Sequence, residues 1–140
     1  MKRLILLLSI CLFASCSFGN LDVSSFVGTY AVSVVENAEW GYDSGVINDN
    51  GTFTITKTFA NRVQVSGYIT TQGTVSGSNL YLEGNQSMDN TGYITTSYGV
   101  GTLSGNVLTF TAYQTGQLKA SNGIQYPYRS TGYFTAIKID

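Results

Sequence analysis

The sequence predicts an all-β protein of antiparallel strands, and three observations predict it. β-Branched and aromatic residues alternate with polar ones over short runs, Gly, Asn or Asp interrupts these runs every eight to twelve residues, and no helical periodicity is sustained over ten residues. Composition agrees, with 16 Gly, 10 Tyr and 7 Phe against one Pro and no His. At 43% hydrophobic and 11% charged, the 140-residue chain is too apolar for disorder and long enough for one domain.

The strands follow in order. Thr29 to Val35 (TYAVSVV) reads as the opening strand. Gly51 to Phe59 (GTFTITKTF) sets Phe53, Ile55, Lys57 and Phe59 on one face and threonines on the other, the period of two that puts one face on a core. Val63 and Val65, Leu80 and Leu82, and Leu108, Phe110 and Ala112 mark three more half-buried strands, and Tyr128 to Ile137 (YRSTGYFTAI) closes the series. Asp49-Asn50-Gly51, Ser76-Gly77-Ser78-Asn79 and Ser104-Gly105-Asn106 carry residues that tolerate positive φ and read as hairpin turns. Residues Gly73 to Leu82 align without gaps on Gly101 to Phe110, so one hairpin type is used twice. Seven or eight such strands must hide their edges, either by closing into a barrel or by doubling over into a β-sandwich.

The start of the chain reads as a segment to be removed. Met1-Lys2-Arg3 and the apolar Leu4 to Phe13 have the form of an export signal, too short to span a bilayer. Phe13-Ala14-Ser15-Cys16 resembles a bacterial lipobox, which implies cleavage after residue 15 and lipidation of Cys16; Ser17 behind it implies the outer membrane. Residues 1–15 are then a lipoprotein signal peptide, 16–25 a lipidated N-terminus and short tether, and 26–140 the folded β domain. Cys11 leaves with the signal, so the folded part holds no free thiol and no disulfide. Five Lys+Arg then face eight Asp+Glu, a net charge of about −3, which argues against a nucleic-acid partner.

The opening Phe26-Val27-Gly28-Thr29-Tyr30 resembles the start of a lipocalin-like (calycin-type) barrel, in which a Gly and a large aromatic two residues later begin the first strand and plug the base. The Gly-Thr-small-Ser-Gly hairpins are similar to those of small lipocalin-like bacterial outer-membrane lipoproteins. The resemblance implies an up-and-down antiparallel barrel of about eight strands with a cavity. It also implies an Arg stacked on the opening aromatic, for which Arg129 is the candidate.

With no His and no mature Cys, the chain lacks the parts of Ser-His-Asp and Cys-His relays and of His or thiolate zinc sites. Glu36, Glu39, Asp43 and Asp49 cluster in sequence but fit no EF-hand spacing, and Glu36, Glu39 and Asp43 read as a solvated loop between the first two strands. The same segment holds the sole Trp. Trp40 and Tyr42 with Glu39 form the candidate ligand-binding set, rings for stacking and a carboxylate for orientation. Gln117 to Pro127 reads as a second rim loop near the same mouth.

The resulting expectation is a non-enzymatic, lipid-anchored envelope module, without cofactor or metal, that binds a small apolar or carbohydrate ligand. The alternative is a structural lipoprotein with no pocket that docks another envelope protein. The interior decides between them, because Phe53, Phe59, Phe110 and Phe134 could fill a small barrel.

Overall fold

A computed structural model describes residues 22–140; the expected signal peptide and Cys16 lie outside the described residues. The fold is a closed antiparallel barrel of eight strands with two further strands attached, and it is not a sandwich. After a one-turn helix, α1 (Val23–Phe26), the wall runs β1 (Gly28–Trp40), β2 (Asp43–Phe59), β3 (Arg62–Gly67), β4 (Thr71–Ser76) and β5 (Asn79–Leu82). It continues through β8 (Gly101–Ser104), β9 (Val107–Lys119) and β10 (Gln125–Lys138), and β10 closes the ring by pairing with both β9 and β1.

The extra strands, β6 (Asn85–Asp89) and β7 (Gly92–Tyr98), continue an interrupted hairpin. Leu80 faces Gly101 and, five residues further on, Asn85 faces Thr96, so the β5–β8 and β6–β7 ladders keep one register across the break. Against β9 the register slips by one residue between β7 and β8, which places a bulge at Gly99-Val100. Bulges of this kind bend a strand at a barrel rim.

The repeated hairpins are the turns β4–β5 and β8–β9. Gly77 and Gly105 take φ of +60° and +61°, as tight hairpin turns require. Asp49-Asn50-Gly51 is instead the middle of β2, which runs unbroken for 17 residues. Gly51 is there for room: a Cβ would run into the Tyr68 ring, which lies across it. The acidic segment expected as a loop is also strand, with Glu36 and Glu39 in β1, Asp43 opening β2 and only Gly41-Tyr42 between them. The expected rim loop Gln117 to Pro127 shrinks likewise to residues 120–124, because Lys119 already pairs with Gln125. Both short connections do lie at one end of the barrel, where the Gly41 N–H donates to the Pro127 carbonyl.

The lower half of the barrel is packed solid. Tyr30, Phe26, Phe53, Ile55, Val63, Val65, Leu80 and Leu108 are its largest fully buried side chains. Tyr30 stacks on Phe53 at 5.4 Å, and Phe110 stacks on Phe134 at 4.6 Å. Val23, expected in the tether, is buried with Phe26 under this core, so the folded unit includes α1. Phe59 is outside at 79% exposure, because a register shift between Lys57 and Phe59 breaks the alternation that would have turned it inward. The residue opposite Tyr30 on β10 is Lys138; Arg129 sits nine residues up the ladder, opposite Glu39, and does not reach the barrel base.

The Tyr30 hydroxyl donates to the Phe26 carbonyl at 2.9 Å and ties α1 to β1. Burial, with Asp140 adding to it, pushes the Tyr30 phenol up to about 12. The neutral phenol is therefore favoured by folding; its contribution is intact below pH 10 and lost as pH climbs from 10 to about 12. Tyr30→Phe keeps the stack and removes the titrating group, so it should cost about 1 kcal/mol at pH 7 through the lost hydrogen bond. It should also flatten the fall in stability above pH 10. Urea unfolding across that range checks this, and an unchanged slope in the variant would contradict it.

Candidate binding site

The barrel is filled below and open above because its strands differ in length. β1, β2, β9 and β10 have 13, 17, 13 and 14 residues, whereas β3 and β4 have six each. Above the level where Phe53 faces Gly67, β2 continues paired to β1 alone, and β3 no longer closes the ring on its other side. A cavity of about 220 Å³ lies at this transition, lined by Val34, Glu36, Tyr68, Ala112, Gln114 and Phe134 among others.

Its floor is apolar and its sides are polar. Val34, Ala112 and Phe134 end the core, and the Tyr68 ring meets Phe134 edge-on at 6.3 Å. Above them, the Tyr128 hydroxyl donates to Glu36 Oε1 at 2.8 Å and lies 3.3 Å from Gln114 Oε1, to which Ser130 Oγ donates at 3.2 Å. On the β2 side, Tyr68 donates its hydroxyl to Asp49 Oδ2 at 2.9 Å. Glu36, Gln114, Tyr68 and Ser130 thus line one small space, and Tyr128 and Asp49 hold two of them by hydrogen bonds from its margin. Among the described residues no fully buried side-chain polar atom lacks a partner.

The phenols report the surroundings. Burial first, then the hydrogen bond to Asp49 and the charges of Asp49 and Glu36, push Tyr68 up to about 12. Tyr128 is raised by burial and by Glu36, with the Ser130 hydroxyl opposing. Both phenols are therefore neutral donors at ordinary pH.

The candidate set read from the sequence is placed differently. Trp40 lies on the inner face of the flared sheet at 38% exposure, with its ring edge against Gly45. Tyr42 is at the hairpin tip and wholly exposed. Glu39 faces outward, since alternation along β1 buries Ala38 beside it. These three do not converge on one space. Glu39 instead borders a wide, shallow groove of about 540 Å³ on the outer wall, with Arg129, Tyr113 and Tyr133. That groove is larger but more open to water, so a small ligand there would keep more of its surface solvated; the inner cavity is the deeper and less open of the two. Among the described residues no three acidic side chains stand close enough to hold a metal ion.

Gln114, Ser130, Tyr68 and Tyr128 are absent from the sequence-based set, although a signal for two of them exists. Gln114 and Ser130 fall on the core side of their strands, in step with Ala112 and Gly132, and a polar residue on a core-facing position is itself a marker. Compared with known proteins, the chain matches no family model, no curated protein and no solved structure.

Asp49→Asn removes the charge but not the burial at Tyr68. Its phenol should fall from about 12 toward, without reaching, the ordinary 10.0. Ultraviolet titration of tyrosinate in the variant and wild type, with Tyr68→Phe to identify the signal, measures it.

Proposed function

We propose that the protein is a lipid-anchored binding module of the bacterial cell envelope, whose inner cavity takes one small polyhydroxylated ligand, a single sugar ring or a molecule of that size. The observation that carries this reading is the polar ring of Glu36, Gln114, Tyr128, Ser130 and Tyr68 directly above an apolar floor ending in Phe134. A sugar has an apolar ring face and a rim of hydroxyls, and carboxylate, amide and phenol groups around an aromatic face match both. At about 220 Å³ the cavity falls below the roughly 300–1,000 Å³ of sites for drug-sized ligands, which favours a monosaccharide over an oligosaccharide or an acyl chain.

The anchoring half of the proposal rests on the first sixteen residues. Met1-Lys2-Arg3, the apolar run and the lipobox-like Phe13-Ala14-Ser15-Cys16 support export, lipidation and an outer-membrane address, and the opening Gly28-Thr29-Tyr30 supports kinship with lipocalin-like lipoproteins. Only residues 17–21 separate Cys16 from the described fold, a reach of about 17 Å when extended. β1 leads upward from that end, so its far end and the open mouth point away from the anchoring membrane, some 30–40 Å off at about 3.3 Å per residue and barrel tilt. A ligand would then come from the aqueous side. Binding accounts for the site without any reacting group.

Two measurements test the two halves. Expressed in a Gram-negative bacterium, the protein should appear in the outer-membrane fraction with a diacylglyceryl mass on Cys16, and Cys16→Ser should release it; an unmodified, soluble wild type would refute the anchor. Native mass spectrometry and a monosaccharide panel followed by NMR should show a ligand that shifts Ala112, Gln114 and Phe134, with Glu36→Gln weakening it about tenfold, the worth of one charge-assisted hydrogen bond. Shifts confined to the outer groove, or no binding by any sugar, would refute the cavity.

A further inference from the structure

The flare that opens the cavity also leaves β2 unpaired along one side. β2 pairs with β1 from Asp43 to Ile55, but with β3 only from Phe53 onward. The Tyr68 N–H donates to the Thr52 carbonyl at 2.8 Å, so even-numbered residues of β2 turn their main-chain groups away from β1. Continuing upward, Ser44, Val46 and Asn48 point both N–H and C=O to the open side, and no other described strand pairs there. Asn50 is different, because its N–H is already taken by Asp49 Oδ1 at 2.8 Å. The free edge is therefore three residues deep in hydrogen-bonding terms, with Val46 63% and Ile47 44% exposed on its two faces. Such an edge is a template for an added strand.

A second copy of this chain is a poor occupant. The one antiparallel register that uses all three free residues sets Val46 against its own copy and Ser44 against Asn48. That same register sets each Asp43 directly opposite the other chain's Asp49, and like charges so placed are destabilising. The carboxylates at both ends of the edge instead complement a cationic strand.

We propose that the β2 edge from Asp43 to Asp49 is a docking site for an extended strand of another protein, added antiparallel, with a basic residue opposite each of Asp43 and Asp49 and apolar residues between them. The inward-facing apolar residues of that strand would lie beside Ile47 and the Trp40 ring, which covers the gap left by Gly45. This edge shares Asp49 with the cavity, through the hydrogen bond that Asp49 accepts from Tyr68, but the proposal does not need a sugar to be bound there.

The probe is the peptide acetyl-KTVTVTK-amide, with acetyl-ETVTVTE-amide as its charge reverse, titrated into the full chain in detergent. The lysine peptide should slow amide exchange at Val46 and Asn48 at least tenfold, and the glutamate peptide should not. Asp43→Lys should weaken the lysine peptide about tenfold and admit the glutamate peptide. Asn48→Pro, which deletes an outward N–H that a strand edge can spare, should abolish binding; should that variant not fold, the charge swap still decides. Unchanged exchange at saturating lysine peptide, or equal binding of both peptides, would overturn the proposal. A dimer with Val46 and Asn48 protected in the absence of peptide would overturn it in favour of self-pairing.

Discussion

The structure depends on one constraint, which is that a β-barrel closes only as high as its shortest strands reach. β10 completes the ring by pairing with β1 and β9, but β3 and β4 stop after six residues each while their neighbours continue. Below that level the strands form a closed ring and the interior is filled by Tyr30, Phe53, Phe110 and their partners. Above it β2 has a partner on one side only, and the ring is no longer closed between β2 and β3. The packed base, the small cavity and the unpaired stretch of β2 are three consequences of unequal strand length.

The polar ring sits where such a change of environment demands it. A carboxylate or amide one layer deeper would be walled in by Phe134 and Val34 without partners, at a cost of several kcal/mol for the charge. At the boundary, Glu36 and Gln114 accept from Tyr128 and Ser130, and Asp49 holds Tyr68 over Gly51. The interior thus passes from aromatic stacking to a hydrogen-bonded collar. The collar gives the cavity its chemistry, and the free edge meets it at Asp49, on the open side of β2.

Much of the architecture was legible in the sequence. Alternation identified the strand cores, and the paired Gly-Thr-x-Ser-Gly segments identified two hairpins, because those signals are local and the glycines at 77 and 105 have no other work to do. The errors share one cause. Asp49-Asn50-Gly51 carries the chemistry of a turn yet lies in a strand, since Gly51 makes space for Tyr68 and Asp49 caps an edge N–H, both long-range facts. Glu36 and Glu39 look like loop residues because they are charged, but Glu39 faces solvent and Glu36 accepts from Tyr128 at the cavity, so both are tolerated on a strand. For the same reason Glu39 and Trp40, adjacent in sequence, lie on opposite faces and cannot serve one site. Phe59 misled through a bulge that no single-strand pattern records.

Amide hydrogen exchange along β2 of the free protein tests the central claim most directly. If the barrel closes only to the level of Phe53, then Gly45, Ile47 and Asp49, whose main-chain groups face β1, should be protected, while Ser44, Val46 and Asn48, which alternate with them, exchange near the rate of an open chain. Below that level, residues 53 to 55 should be protected without alternation. Uniform protection from residue 44 to 55 would mean that a wall covers the upper edge, and the account of an open, half-closed barrel would be wrong.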